Sequence, residues 1–270
     1  MPPARRARKE KTLGIGLEGT DIVRLEELSL NAWPSLQTVL YRGCVLRFAE
    51  GYTKRSNSAN PLYYRGPVDE LARVAEAAYG SRGSPTHFKI VEHPDYADLD
   101  RHLEASGYAK IDSTTVMTLP LSDRRFPARE RVRVEDAFSS TWVDAFIDAN
   151  RLEARAATVR GILGAVAVDK AVASVEAEGK LVAFGFAALE AGWAGCFDIF
   201  VRQDYRGMGY GREIMEALLG AAAERGAARG YLQVMDHNHP AKALYDKLGF
   251  AAAYGYWYRK RDAAGRVGPR

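Results

Sequence analysis

The residues that could do chemistry gather in one stretch, Ala194 to Arg212, which reads AGCFDIFVRQDYRGMGYGR. An apolar run from Cys196 to Val201 predicts a strand, a short polar bend follows, and Arg206-Gly-Met-Gly209-Tyr-Gly211 leads directly into a helical pattern. A strand, a glycine-rich turn and a helix start form a phosphate site. The N–H groups of the turn and first helical turn converge, the helix dipole favours an anion, and glycine lets a ligand reach the backbone. A tight turn that binds nothing would carry the same glycines. Asp198 lies within the apolar strand, where alternation puts it on one face with Cys196 and Phe200, opposite Phe197, Ile199 and Val201. An acid there must be paired or functional, because leaving it buried and alone is costly. Glu190, near a strand end, is a second acid of interest and reads as solvated.

Composition bounds what these residues can serve. With 270 residues, 47% hydrophobic and 27% charged, the chain can hold two cores and is not disordered. Net charge is +4, yet residues 1–11 and 259–270 each contribute five Lys or Arg against one acid, so the body between them is −4. Basic ends on an acidic body argue against a specific nucleic-acid face. The apolar run Leu181–Val201 has the length of a membrane span, but Glu190, Asp198 and three glycines interrupt it, so no membrane partner is expected. Cys44 and Cys196 sit in apolar runs without metal-ligand spacing and read as buried thiols; His237 and His239 lack a carboxylate or cysteine beside them, so no metal is expected. No secretory apolar segment follows the basic N-terminus, which implies a cytoplasmic location.

The elements that must position the stretch come in two similar series. Residues 1–12 read as a disordered basic tail, and Gly14-Ile-Gly16-Leu-Glu-Gly19 matches a dinucleotide string without the preceding strand that would give it meaning. Helical spacing is read over 21–40, with Ile22, Leu25, Leu28 and Val39 apolar and Pro34 at a bend, and a hairpin over Val39–Ala49 turning at Arg42-Gly43. The loop 51–62 carries Lys54, Arg55, Asn57 and Asn60, either a solvated connection or a polar wall. Helices at 69–79 and 96–106 alternate with strands at 86–92 and 108–119; after a linker at 121–130 come a strand near Val132, helices at 141–149 and 155–166, strands at 172–177 and 181–189, a helix at 212–225, a strand at 231–235, a helix at 240–248 and a strand at 252–258. Leu103-Glu-Ala-Ser-Gly107-Tyr108 resembles Tyr245-Asp-Lys-Leu-Gly249-Phe250, each a helix closed by glycine before an aromatic, which suggests an internal repeat.

Two motifs, Arg206-x-x-Gly209-x-Gly211 and Asn238-x-x-Ala241-x-x-Leu244-Tyr245-x-x-x-Gly249-Phe250, resemble the signature pair of the GNAT superfamily of N-acetyltransferases. The resemblance covers roughly residues 128–259. It implies an α/β fold, a mixed sheet flanked by helices, in two tandem GNAT-like halves: a degenerate domain at 13–120, the linker at 121–130, a catalytic domain at 131–260 and a basic tail at 261–270. It also implies acetyl-coenzyme A as cosubstrate, with main-chain N–H groups of Gly207, Met208, Gly209, Tyr210, Gly211 and Arg212 at the pyrophosphate and Arg206 at the turn. By the same resemblance Ile199 and Val201 pair with the pantetheine arm, the Ile199 N–H faces the thioester oxygen, and Asn238 contacts the arm. A helix cap alone would also justify Asn238.

Tyr245 takes the place of the family's general acid. A phenol stays protonated at neutral pH and can protonate a leaving thiolate, although helical spacing equally allows a core aromatic. Asp198 is the acid available as base, directly or through water, or as a binder of a cationic acceptor, or as a structural ion pair. Many relatives carry an acid where this chain has Met235, so no base is expected from that strand. The acceptor would lie between the halves, with Arg55, Asn57 and Asn60 on one side and Tyr254, Tyr256 and Tyr258 on the other. The expected activity is acetyl transfer to a primary amine of a small molecule or amino acid by direct attack in a ternary complex, in a monomer or homodimer. The rival expectations are a silent coenzyme A-binding regulator and a protein or peptide N-acetyltransferase.

Overall fold

The structure is a computed structural model that describes residues 22–263; the tail at 1–12, the glycine string Gly14–Gly19 and residues 264–270 lie outside it. Helix α1 (Ile22–Ala32) is followed by strands β1 (Gln37–Tyr41), β2 (Cys44–Phe48) and β3 (Ala59–Asn60), helix α2 (Val68–Gly80), strand β4 (Thr86–Val91), helix α3 (Ala97–Ala105) and the long strand β5 (Ala109–Pro120). The second series is β6 (Arg133–Glu135), α4 (Ser140–Ala149), α5 (Ala156–Gly164), β7 (Asp169–Ala177), β8 (Lys180–Glu190), β9 (Trp193–Val201), α6 (Tyr210–Glu224), β10 (Arg229–Met235), α7 (His239–Leu248) and β11 (Ala251–Arg261). Val39 is therefore in a strand and not in the first helix. Pro34 disfavours helical backbone before it, and Thr38 and Val39 then supply β-branched residues to a hairpin whose turn, Arg42-Gly43, has φ of +46° and +86°.

All the described strands join one mixed sheet in the order β1-β2-β3-β4-β11-β5-β10-β9-β8-β7-β6. The order shows an exchange. The last strand of the first series, β5, pairs with β10 of the second, and the last strand of the second, β11, lies between β4 and β5. Each series thus completes its sheet with a strand from the other. Two apolar clusters hold helices to the sheet. One gathers α1 to α5, with Leu25, Leu71, Leu99, Trp142 and Val159 all at most 1% exposed; the second packs α6 and α7 against β5 and β7 to β10 through Ile214, Leu218 and Leu248.

The segment 121–130 is held down rather than loose. Leu121 N donates to Ala228 O at 2.9 Å, and Arg129 Nε donates to Glu216 on α6 at 2.9 Å. The basic C-terminal stretch also begins later than its charge suggests. Arg259 and Arg261 belong to β11, and Arg259 is buried, donating to both carboxylate oxygens of Asp100 on α3 at 2.7 and 2.9 Å. Three consecutive cations look like a solvated end in sequence; here one of them is an inward-facing strand residue with its counter-charge supplied from the other series. Among the described residues no helix is long and apolar enough to cross a membrane.

Candidate active site

Strands β9 and β10 run parallel, and their pairing covers only Trp193–Cys196 against Arg229–Leu232. Beyond Cys196 they part, leaving a cleft of about 370 Å³ lined by Ile199, Val234, Tyr245, Tyr256, Asp198 and Arg55 among others. A bulge in β9 sits at the mouth of this opening. Phe186 of β8 pairs with Phe197 and Phe184 with Phe200, so one more residue lies on β9 than on β8, and Asp198 takes φ +50°. The simple alternation read from the sequence is thus overturned. Phe197 and Phe200 share one side of the sheet, stacked on Phe186 and Phe184, while Cys196, Ile199 and Val201 pack toward α6. The extra residue leaves Ile199 outside the ladder pairs on both sides, which frees its backbone for a ligand.

At the end of β9 a single 3₁₀ turn leads into the glycine motif. Gly207 has φ +79° and Gly209, the N-cap of α6, φ +87°, values that an L side chain rarely adopts. No backbone acceptor serves the N–H of Gly207, Met208 or Gly209 among the described residues, and the N–H groups of Tyr210 and Gly211 open the helix, where no preceding turn can satisfy them. These five groups fit a pyrophosphate. Arg212 departs from the expectation: its N–H already donates to Gly209 O at 3.0 Å and its Nε to Glu216 at 3.1 Å. Arg206 is exposed, with Nε donating to Val201 O at 3.2 Å, which ties the turn to the strand it leaves. The one acid in the first turn of α6, Glu213, is paired with Arg131, so it does not oppose an anion.

Helix α7 supplies the other wall. Asn238 caps it, its Oδ1 accepting from Ala241 N at 3.3 Å, and it also lines the cleft. Tyr245 is 9% exposed, lines the cleft and lies within electrostatic reach of Asp198. Burial, with the nearby Cys196 and Asp198 adding to it, pushes its phenol well above the ordinary value, so it remains a proton donor at neutral pH. Burial also pushes the Cys196 thiol up to about 12, which leaves it without thiolate character although it lines the cleft.

The first series contributes the facing wall. Arg55 donates from Nη2 to Asp198 Oδ1 at 3.2 Å, and its guanidinium lies 4.6 Å from the centre of the Trp33 ring. Asp198 Oδ2 is buried without a hydrogen-bond partner, as is the hydroxyl of Tyr258. Tyr256 donates to Gln233 Oε1 at 3.0 Å at the cleft edge, and Lys54 Nζ meets Asp112 Oδ2 at 2.6 Å.

Three expected acceptor residues face elsewhere. Asn57 accepts from Ala49 N and Gly51 N at 2.8 and 3.0 Å and donates to the carbonyls of Tyr52 and Thr53, so it organises its own loop. Asn60 is buried in β3, donating to Ser58 O at 2.9 Å. Tyr254 donates to Glu26 at 2.8 Å, away from the cleft. Glu190 lies at the far end of β8, accepting from Asn31 at 3.1 Å. His237 and His239 are exposed, and no group of three or more potential metal ligands occurs among the described residues. Sequence reading missed Asp112, Thr114 and Gln233. The first two come from the exchanged β5, which no local pattern places beside β10.

Residues 19–259 match the family described as Probable histone acetyltransferase Rv0428c C-terminal. The chain is 30% identical over 244 residues to an uncharacterized N-acetyltransferase, YobR, of Bacillus subtilis, covering 88% of this chain and 98% of that one. Its fold is similar to a GCN5-related N-acetyltransferase from Kribbella flavida, with a TM-score of 0.67 at 16% identity over 93% of this chain and 98% of that one. A tandem GNAT protein from the clavulanic acid biosynthesis pathway gives a TM-score of 0.64 at 15% identity, covering 93% and 90%. With the parted strands, the glycine motif and these relatives in agreement, the chain belongs to the GNAT superfamily of N-acetyltransferases.

Proposed function

We propose that this protein transfers acetyl from acetyl-coenzyme A to the primary amine of a small molecule, by direct attack within a ternary complex. The observation that carries the reading is the convergence of Tyr245 and Asp198, from different elements, on the single cleft where β9 and β10 part. Acetyl-coenzyme A supplies the thioester. The N–H groups of Gly207 to Gly211 hold its pyrophosphate, with Arg206 beside them, and the unpaired edge at Ile199 and Val201 receives the arm. The Ile199 N–H faces the carbonyl oxygen on which charge develops. Asp198 draws the ammonium of the acceptor and takes its proton directly or through water. A bond then forms from nitrogen to the acyl carbon, the carbon–sulfur bond breaks, Tyr245 gives its proton to the departing sulfur, and the second proton lost by the nitrogen as it becomes an amide restores the Tyr245 phenol. Arg55 sets the position of Asp198, and Tyr256 closes the acceptor side.

Cys196 has no part in this scheme, since a buried neutral thiol is a poor nucleophile. Both cysteines are free and buried, in keeping with a cytoplasmic protein, and the scheme needs no metal. A regulator that only binds coenzyme A would need neither Tyr245 nor Asp198. The matched family's description favours a second reading, transfer to a protein or peptide amine. Following free thiol with acetyl-coenzyme A, a panel of small amines and amino acids, and lysine-rich peptides separates these. Thiol release with a small acceptor supports the proposal; release with peptides alone supports the second reading; binding of acetyl-coenzyme A without release from any acceptor would leave the regulator.

A further inference from the structure

The acceptor wall is an ion pair that is already neutral and keeps one unused polar atom near each charge. Arg55 and Asp198 meet at 3.2 Å through a single contact, Nη2 to Oδ1. On the acid side, Asp198 Oδ2 is buried and without a hydrogen-bond partner. On the base side, the Tyr258 hydroxyl is buried, unpartnered and within electrostatic reach of Arg55, in a side chain only 3% exposed that lines the same cleft. Neither charge is free to wander. The guanidinium is laid against the Trp33 ring at 4.6 Å, and the carboxylate hangs from a bulged backbone whose φ of +50° is set by the strand register. The second ion pair of the cleft, Lys54 with Asp112, is likewise internally neutral.

From this arrangement we propose that the acceptor is a free α-amino acid, its ammonium seated on Asp198 and its carboxylate on Arg55 and the Tyr258 hydroxyl. The inference rests on the transfer reading above and names the acceptor within it. A simple cationic amine would compete with Arg55 for Asp198 and leave a positive charge in the cleft without a counter-ion. A carboxylate alone would do the reverse. A zwitterion satisfies both members at once and keeps the half-buried site neutral. Spacing narrows the class further, because the bonds from nitrogen through Cα to a carboxylate oxygen hold the two charges of an α-amino acid roughly 3 Å apart. Arg55 and Asp198 are themselves in contact at 3.2 Å, so a ligand that engages both is favoured when its own two charges lie close together.

The test compares three forms of each common L-amino acid: the free acid, its carboxamide and its decarboxylated amine. Turnover is read as thiol release and binding by equilibrium dialysis of labelled acceptor against the protein with coenzyme A. At least one free acid should exceed its carboxamide and its amine by roughly a hundredfold in kcat/KM. Arg55→Gln should reduce that preference to within about fivefold, Tyr258→Phe should weaken it less, and Arg55→Lys, which keeps the charge, should retain part of it. If carboxamides or amines turn over as well as the acids, the zwitterion is overturned while acetyl transfer stands. Selective binding of a free acid without thiol release in any arm would uphold the zwitterion and overturn transfer. If no free acid is either bound or turned over, the proposal is overturned outright.

Discussion

Helix α2 follows β3 and leads to its parallel neighbour β4, just as α6 follows β9 and leads to β10, so the two helix starts hold corresponding places in the two series. At α6 the chain enters through Gly207 and Gly209 in left-handed backbone, with open space where a Cβ would stand. At α2 the N-cap is Pro67, which has no N–H, and Tyr64 donates its hydroxyl to Pro67 O at 2.9 Å, lying across Gly66. Asp69 and Glu70 add negative charge to that first turn. The endings correspond too. Tyr108 N donates to Leu103 O and Phe250 N to Tyr245 O, both at 3.0 Å, across glycines at φ +81° and +89°. The shared frame fixes where a site could be, and three local features mark the candidate: N–H groups without a backbone acceptor, a gap between parallel strands, and a phenol where the other series has Leu103.

The sharpest way to break the comparison is at that last position. Tyr245→Phe keeps the ring in its packed place and removes only the acidic proton. It should lower kcat by about a hundredfold to ten-thousandfold while the KM for acetyl-coenzyme A stays within about twofold. Leu103→Met, the matched change in the first series, should leave kcat unchanged. Steady-state kinetics decide this: an equal kcat for Tyr245→Phe and wild type would return Tyr245 to the role of a core aromatic.

Most of what made the second series a site was local and therefore legible. The glycine motif, the capping Asn238 and Tyr245 at helical spacing all act through near neighbours in sequence; Asn238 and Tyr245 line the cleft, and the glycine motif follows the end of β9, the strand that forms one of its walls. The bulge at Asp198 went unread although its signal was present. Gly185 interrupts an apolar strand opposite it, and a Cβ there would come within 2.5 Å of the Ile199 side chain, so the glycine makes room for the extra residue. Asn57 misled for a different reason. A loop rich in side-chain donors can turn them inward to satisfy its own backbone, and sequence does not say which way they face. The strand exchange lay beyond reach altogether, since no pattern within β5 or β11 names the strand it will pair with.

That exchange offers a second, smaller test, because its two sides are fastened differently. On one side Arg259 of β11 is buried against Asp100; on the other, Lys242 of α7 reaches Thr115 of β5 at 3.3 Å while partly exposed. Asp100→Asn should cost about 2–3 kcal/mol in urea unfolding, because a buried guanidinium loses its two-point ionic partner and keeps only the 3.2 Å contact to the more exposed Glu104, whereas Lys242→Met should cost less than about 1 kcal/mol. Burial alone would raise the Asp100 carboxyl, but hydrogen bonds from Arg259 and Trp257 outweigh it and hold it below the ordinary carboxylate range. A depressed folded-state value gives stability that is present above the unfolded value of about 3.9 and lost as pH falls through the lower folded value. The wild type should therefore lose stability in that acid window more steeply than Asp100→Asn. Parallel acid limbs would show that the pair contributes nothing.

The smallest effect separates geometry from function at two glycines that share one backbone conformation. Gly107 closes α3 at φ +81° and Gly209 opens α6 at φ +87°, and at both a Cβ would meet nothing within 4 Å. Alanine at either position should cost about 1–2 kcal/mol of stability from left-handed strain alone. Only Gly209→Ala should also raise the KM for acetyl-coenzyme A, by about threefold to tenfold, because strain relief there turns the N–H groups of the motif out of register with the pyrophosphate. Unfolding curves and cofactor titrations on both variants give the two readings independently. If Gly209→Ala matches Gly107→Ala in both, the glycine serves the turn and not the ligand, and the difference between the two helix starts would have to be carried by the missing Pro67 N–H and the Tyr64 side chain.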